Sequence, residues 1–216
     1  MPEVYRDNEL TIELLPALGS LENNSYILRP ANGDGPIVID VPEGFEAVVD
    51  SLGAERERVT AVIVTHSHFD HWRGYDVMRG QISAAVYAGA EETDLDESRD
   101  IQRLGDGDEI AVGGGTMRVL HTPGHTPGSI SLAIGGVVFT GDTLFPGGPG
   151  FSRSNEALQQ TIASITSRLH PLPEGTLVLP GHGDTTTIGE SKAEYAVFAA
   201  REHAADLHGD VLWNGS

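Results

Sequence analysis

Three histidines and an aspartate fall within one short stretch, His66-Ser67-His68-Phe69-Asp70-His71. Neutral imidazole nitrogens and carboxylate oxygens are the usual donors to zinc and to comparable divalent transition metals. Donors packed this closely along the chain cannot all converge on a single ion without severe backbone distortion, so alternate residues are expected to turn toward two ions. The competing reading is a solvated loop that happens to be rich in histidine. Against it, the cluster directly follows Ala61-Val62-Ile63-Val64-Thr65. The length and β-branched content of that run mark a buried strand that releases its polar residues only at its end.

Further donors sit beyond other apolar runs, each beside glycine: His125 in Thr122-Pro123-Gly124-His125-Thr126-Pro127-Gly128-Ser129, Asp142 in Phe139-Thr140-Gly141-Asp142-Thr143, and His182 in Pro180-Gly181-His182-Gly183. Glycine lets a loop turn sharply and brings a short side chain close to a site. Singly, each has an ordinary explanation, because Gly-Asp pairs make turns and most lone histidines are hydrogen-bonded structural residues. Together with His66, His68, Asp70 and His71 they make up the donor set that two ions need when one carboxylate bridges them.

The elements that must position these residues can be traced along the chain. Residues 10–15 and 24–29 alternate as strands, Ile37-Val38-Ile39 is a short buried strand ending in Asp40, and Asn32-Gly33-Asp34-Gly35 has hairpin turn chemistry. Phe45, Val48, Val49 and Leu52 recur at helical spacing, with Gly53 placed to end the helix. Residues 84–87 read as a short strand, the acidic stretch 91–100 as an exposed connection or helix, and Gly105-Asp106-Gly107-Asp108 as a turn, because the other positions of a calcium loop are missing. Strands follow at 116–120, 129–134 and 137–140. A helix runs through Leu158, Ile162, Ile165 and Leu169, capped by Ser154 or Asn155 and stopped by Pro171. A last strand, Leu177-Val178-Leu179, precedes His182, and a helix from about Glu190 closes the chain. Two batches of strands, each followed by helix and without regular βαβ alternation, predict an α+β architecture of two mixed sheets packed face to face with helices outside.

Composition narrows the function. At 216 residues with no linker-like shift, a single domain over 1–216 is expected. The absence of cysteine excludes disulfides, thiolate ligands and cysteine nucleophiles. With 13 basic against 32 acidic residues, the net charge of −19 disfavours nucleic acid as a partner, since that affinity rests largely on Lys and Arg. No apolar run approaches the ~20 residues of a membrane helix, and Met1-Pro2-Glu3-Val4-Tyr5-Arg6-Asp7 lacks the pattern of a signal peptide. A small-molecule substrate and a cytoplasmic location are the resulting expectations, with the oligomeric state left open.

At this point the chain resembles the metallo-β-lactamase-fold hydrolases: His66-x-His68-x-Asp70-His71, then His125, Asp142 and His182 in that order, with Asp40 matching an early aspartate that supports a ligand. The resemblance implies a four-layer αββα sandwich with metals at one edge. It implies that His66, His68 and His125 hold the first ion, that Asp70, His71 and His182 hold the second, and that Asp142 bridges them. The ions would be zinc in the first instance, with iron or manganese as alternatives. On this resemblance the ions would lower the pKa of a bound water to near neutrality and supply a hydroxide for attack on an ester, thioester or lactone, with Asp70 able to orient it.

Among branches of the family, the missing cysteine and the position of Asp142 argue against the classical β-lactamases. Thr122 to Ser129 and Thr140-Gly141-Asp142-Thr143-Leu144-Phe145 resemble most the glyoxalase II group, which hydrolyses hydroxyacylglutathione thioesters; the Cys-Gly-Arg run frequent in that group is absent from the following Pro146-Gly147-Gly148-Pro149-Gly150-Phe151-Ser152-Arg153. The resemblance thus implies a short glyoxalase II-like thioesterase. An alternative is a persulfide dioxygenase with one iron held by His66, His125 and Asp142, and a metal-binding scaffold without turnover ranks last. Loop 146–150 is expected to border the pocket, with Trp72, Phe145 and Phe151 as apolar walls or core residues and Arg153 as an anion contact or a surface ion pair. His121 is either a supporting residue of the site or a structural histidine, while His170, His203 and His208 look like helix-end or tail residues.

Overall fold

The computed structural model describes residues 3–95 and 98–214. The first sheet holds β1 (Glu3–Arg6), β2 (Leu10–Leu18), β3 (Asn23–Pro30), β4 (Ile37–Ile39), β5 (Ala61–Val64), β6 (Ala85–Gly89) and β7 (Ile101–Leu104), in that order across the sheet. The pairs from β1 to β4 are antiparallel, and those from β4 to β7 are parallel. Parallel neighbours require crossovers. Helix α1 (Glu46–Leu52), continued by a 3-10 segment at Gly53–Arg58, carries the chain from β4 to β5, and α2 (Tyr75–Arg79) carries it from β5 to β6.

The second sheet is built from β8 (Glu109–Val112), β9 (Gly115–His121), β10 (Ile130–Ile134) and β11 (Val137–Gly141). After a small hairpin, β12 (Leu144–Phe145) with β13 (Gly148–Pro149), and helix α3 (Asn155–Ser164), it adds β14 (Leu177–Pro180) and β15 (Thr186–Thr187). Its order is β15-β14-β11-β10-β9-β8, and β11 with β14 is its one parallel pair among the described residues. Helix α4 (Ile188–Ala199) follows, capped by Thr187 and Glu190 in a reciprocal box, while Ser154 caps α3 by accepting from the Ala157 amide at 3.2 Å.

Alternation along the strands separates three apolar layers. Ile12, Tyr26, Leu28, Ile39 and Ile63 face Val119, Leu132, Phe139 and Leu179 between the sheets, where the rings of Tyr26 and Phe139 meet edge to face at 5.1 Å. Ile27, Val38 and Val62 point the other way, onto Phe45, Val48 and Met78. On the far side, Val138 and Val178 pack with Leu158, Ile162, Phe198 and Trp213. The expected αββα sandwich is therefore present, and none of the described helices is long and apolar enough to cross a membrane.

Several elements were not legible in the sequence. β1, β7 and β8 lie at sheet edges and carry mainly exposed or half-buried residues, so no apolar run marks them. The acidic stretch 91–100, expected to be exposed, buries Glu92 and Leu95 because it folds over Gly128, where a Cβ would come within 2.1 Å of the Glu92 nitrogen. Asp96 and Glu97 of that stretch lie outside the described residues.

Polar bonds tie the sheets together at one edge. The Tyr26 hydroxyl donates to the Pro180 carbonyl at 2.6 Å, Asn24 Nδ2 donates to the same carbonyl at 3.1 Å, and the Asn24 amide donates to Gly181 at 2.7 Å. Removing the tyrosine hydroxyl leaves Pro180 with its second donor. Tyr26→Phe is thus expected to cost only about 1 kcal/mol in urea unfolding; a loss of several kcal/mol would show that this tie carries more of the packing than one hydrogen bond.

Candidate metal centre

Each candidate donor leaves the end of a strand at this same edge. The parallel pair β4 and β5 delivers Asp40 and His66, and the parallel pair β11 and β14 delivers Asp142 and His182. His68, Asp70 and His71 follow β5 in a short 3-10 turn, and His125 stands in the loop from β9 to β10. Open α/β sheets place their ligand sites beyond the carboxyl ends of parallel strands in the same way.

Three groups of donors have their ligand atoms within 4.8 Å of one another: His66, His68 and His125; His66, His71 and Asp142; and Asp70, His71 and His182. All seven residues singled out in the sequence are thereby brought together. Asp142 lies in the middle, with Oδ1 3.3 Å from His71 Nε2 and Oδ2 3.5 Å and 3.6 Å from the Nε2 atoms of His125 and His182.

The far nitrogens of four of the five imidazoles are held by acceptors. His71 Nδ1 donates to Asp40 Oδ2 at 2.9 Å, His125 Nδ1 to the Phe151 carbonyl at 3.0 Å, and His182 Nδ1 to the Leu21 carbonyl at 3.0 Å. His66 Nδ1 donates to the Thr65 hydroxyl at 3.2 Å, which in turn donates to Asp40 Oδ2 at 2.9 Å. Such bonds fix the tautomer and turn Nε2 toward the centre, as the outer partners of metal-binding histidines do. Asn23 Nδ2 donates to Asp70 Oδ2 at 2.8 Å and steadies that carboxylate.

The residues fit a pair of cations on two independent counts. His71 Nε2, His125 Nε2 and Asp142 Oδ1 are buried without a hydrogen-bond partner, although such atoms cost about 1–3 kcal/mol each when left unmatched. In addition, Gly181 leaves space that a side chain would close, since a Cβ there would lie 2.3 Å from Asp142 Oδ1 and 2.6 Å from His71 Cε1.

Electrostatics divide the centre into two halves. Burial pushes His66 well below the ordinary imidazole range, helped by the surrounding imidazoles. His68 falls to about 4 through burial and its neighbours His125 and Arg153, and His125 is lowered chiefly by burial. At His71 burial acts in the same direction but is overcome by Asp142 and Asp40, which hold its pKa well above the ordinary value. His182 is raised against burial by Asp70 and Asp142. Burial works to raise Asp70 and Asp142, yet bonding to His182 and the charge of His71 hold Asp70 low, and His71 holds Asp142 low.

Of the other residues named in the sequence, Phe145 and Phe151 border the centre, whereas Trp72 packs into the layer beneath α1 and α2 and donates to the Ser67 carbonyl at 3.0 Å. Arg153 reaches His68 Nε2 with Nη2 at 3.0 Å. His121 bonds the Pro127 carbonyl at 2.9 Å and so closes its loop structurally, while His170, His203 and His208 are engaged with Ser191, Phe198 and Asp206. Asn23 and Thr65 were not anticipated. Their only sequence signal is polarity inside strand-like runs.

The profile of the Metallo-beta-lactamase superfamily matches residues 18–196. An uncharacterized protein of Mycobacterium tuberculosis is 30% identical over 208 residues, a match covering 81% of this chain and 92% of that protein. A protein named hydroxyacylglutathione hydrolase from Aeromonas hydrophila is 33% identical over 175 residues, covering 81% of this chain and 66% of its own length. Two crystal structures superpose closely. BLEG-1 B3 metallo-beta-lactamase does so with a TM-score of 0.68 and 32% identity, covering 83% of this chain and 95% of that one. TTHA1623 in a di-iron-bound form does so with a TM-score of 0.69 and 29% identity, covering 82% and 96%.

Two outcomes follow from the geometry. Gly181→Ala should retain the fold by circular dichroism but lose cation uptake by about tenfold or more, because its methyl displaces Asp142 or His71; unchanged cobalt affinity would contradict the convergence of these donors. Protons held on His71 and His182 by their carboxylates compete with a cation, so cobalt affinity should fall as pH is lowered from about 8 to about 6, with protons released on uptake.

Proposed function

Because the chain belongs to the metallo-β-lactamase superfamily, we propose that it is a dinuclear metallo-hydrolase that cleaves a thioester, in the manner of a hydroxyacylglutathione hydrolase. The observation that carries the reading is the position of Asp142, whose two oxygens lie within 3.6 Å of His71, His125 and His182 and so span both halves of the centre. His66, His68 and His125 would hold one ion, Asp70, His71 and His182 the other, with Asp142 shared. Two divalent ions there, zinc in the first instance, supply Lewis acidity toward a carbonyl oxygen and lower the pKa of water to about neutrality.

The chain's own groups favour a thioester. As ligands to two cations Asp70 and Asp142 would stay ionised, so neither would be a carboxylic acid able to protonate an amine leaving group. A thiol, with an ordinary pKa of about 8.5, departs as thiolate without such help. Asp70, steadied by Asn23 Nδ2, is suited to accept a hydrogen bond from the attacking water and so to orient it. The relative named hydroxyacylglutathione hydrolase supports the same substrate class, and the B3 metallo-beta-lactamase similarity makes a β-lactam the necessary comparison substrate.

Elemental analysis together with a thioester, lactone and β-lactam panel tests the reading. The protein is expected to carry two ions and to prefer the hydroxyacyl thioester. His68→Ala and Asp142→Ala should lose metal and turnover together, the latter by about a hundredfold or more. Full turnover with metal absent, a preference for the β-lactam, or one iron per chain with sulfur-dependent oxygen uptake would each refute it.

A further inference from the structure

The candidate metal centre lies between two chambers of different size, both lined mainly by apolar surface. The larger, about 600 Å³, adjoins His68 and His125 and is rimmed by Asp94, Arg153, Glu156 and Gln160. The smaller, about 330 Å³, adjoins Asp142 and His182 and is walled by Phe145, Pro146, Pro149, Phe151, Val211 and Leu212. His125 borders both, so a group seated at the centre has one end toward each.

The apolar walls come from segments far apart in the chain that the backbone holds in place. Ser152 and Gly209 exchange hydrogen bonds at 3.1 and 2.9 Å, and the Trp213 amide donates to the Gly147 carbonyl at 2.7 Å. Gly148, at φ 141°, lets the loop approach Trp213, whose indole is fully buried. Val211 and Leu212 are pinned between these anchors. Leu212 nevertheless remains 61% exposed and Phe151 50% exposed, two large apolar side chains facing solvent at the mouth of one cavity.

We propose that the smaller chamber receives the acyl part of the substrate as a short, uncharged chain, and that the C-terminal segment, through Leu212, limits its length. The assignment rests on the thioester reading above. A volume of about 330 Å³, roughly half that of the larger chamber, suits the smaller of the two portions of the substrate, a short acyl chain. Asp210 stands on its rim and disfavours a second carboxylate on the acyl group. The larger chamber adds Pro123, Pro127 and Ala157 to the guanidinium of Arg153 and the carboxylates of Asp94 and Glu156, and so has both the room and the charges for a larger thiol portion bearing both signs.

Binding of straight-chain carboxylates, the products of such a reaction, tests this without turnover. Titration calorimetry on the zinc-loaded protein should show affinity rising from acetate through butyrate to hexanoate by about fourfold for each methylene enclosed, with succinate weaker than butyrate. Leu212→Trp, at an exposed position, should abolish the rise beyond acetate, and Leu212→Ala should make it shallower. Gln160→Trp, which fills the larger chamber, should leave the series unchanged and raise KM for thioesters of a charged thiol. A flat series in the unaltered protein, or a series altered by Gln160→Trp and not by either Leu212 variant, overturns the assignment. The expected series in a protein that cleaves no thioester instead refutes the hydrolytic reading while leaving the chamber assigned to an acyl chain.

Discussion

Asp40 is a carboxylate buried at the tip of a strand, and the centre depends on how it is satisfied. Its Oδ1 accepts from the Thr65 amide at 2.8 Å, and its Oδ2 accepts from the Thr65 hydroxyl and from His71 Nδ1, each at 2.9 Å. A buried carboxylate without such donors costs several kcal/mol. The residue also adopts φ 61°, a left-handed backbone that costs a non-glycine residue of order 1–3 kcal/mol and persists only where the surroundings enforce it. The three hydrogen bonds do so. In return, one carboxylate joins the ends of β4 and β5 and orients two imidazoles, His71 directly and His66 through the Thr65 hydroxyl.

The remaining donors inherit their positions from the second sheet, so the centre exists only if the two sheets meet in register. The bonds from Asn24 and Tyr26 to Pro180 and Gly181 set that register at the site itself, as does the Ile130 amide donating to Thr65 at 3.0 Å. Glycine is required where the approach is closest: a Cβ on Gly141 would lie 2.6 Å from the Thr65 hydroxyl, and one on Gly181 would strike Asp142. The apolar layer between the sheets supplies the cohesion, and these polar contacts at its edge decide the alignment.

Most of the centre was legible because its residues break a local pattern. His66, Asp142 and His182 each end a β-branched or apolar run, and glycine stands beside Asp142 and His182. Asn23 and Thr65 were missed for the opposite reason, since one polar residue in a strand looks like an ordinary solvent-facing position until the opposing sheet is in place. Leu212 belongs to the same class: nothing near it in sequence indicates that Gly147 and Ser152 will hold its segment against the cavity. Edge strands such as β7 carry no apolar alternation at all, because only one residue of Ile101–Leu104 is buried. Local chemistry was therefore readable, and contacts made across the fold were not.

A chain with a net charge of −19 is an unexpected host for a centre that must attract electron-rich groups. The contradiction disappears once distance is considered. Surface carboxylates act through water and salt, where fields fade within about 8 Å at physiological ionic strength. Donors inside the centre act over 3–4 Å in largely buried surroundings, and there two dications would outweigh the carboxylates of Asp70 and Asp142 that would hold them. The histidines add no opposing charge once they bind as neutral imidazoles. The acidic surface thus bears on solubility and on encounter with other molecules, while the sign of the potential at the centre is set by the few groups gathered at the sheet edge.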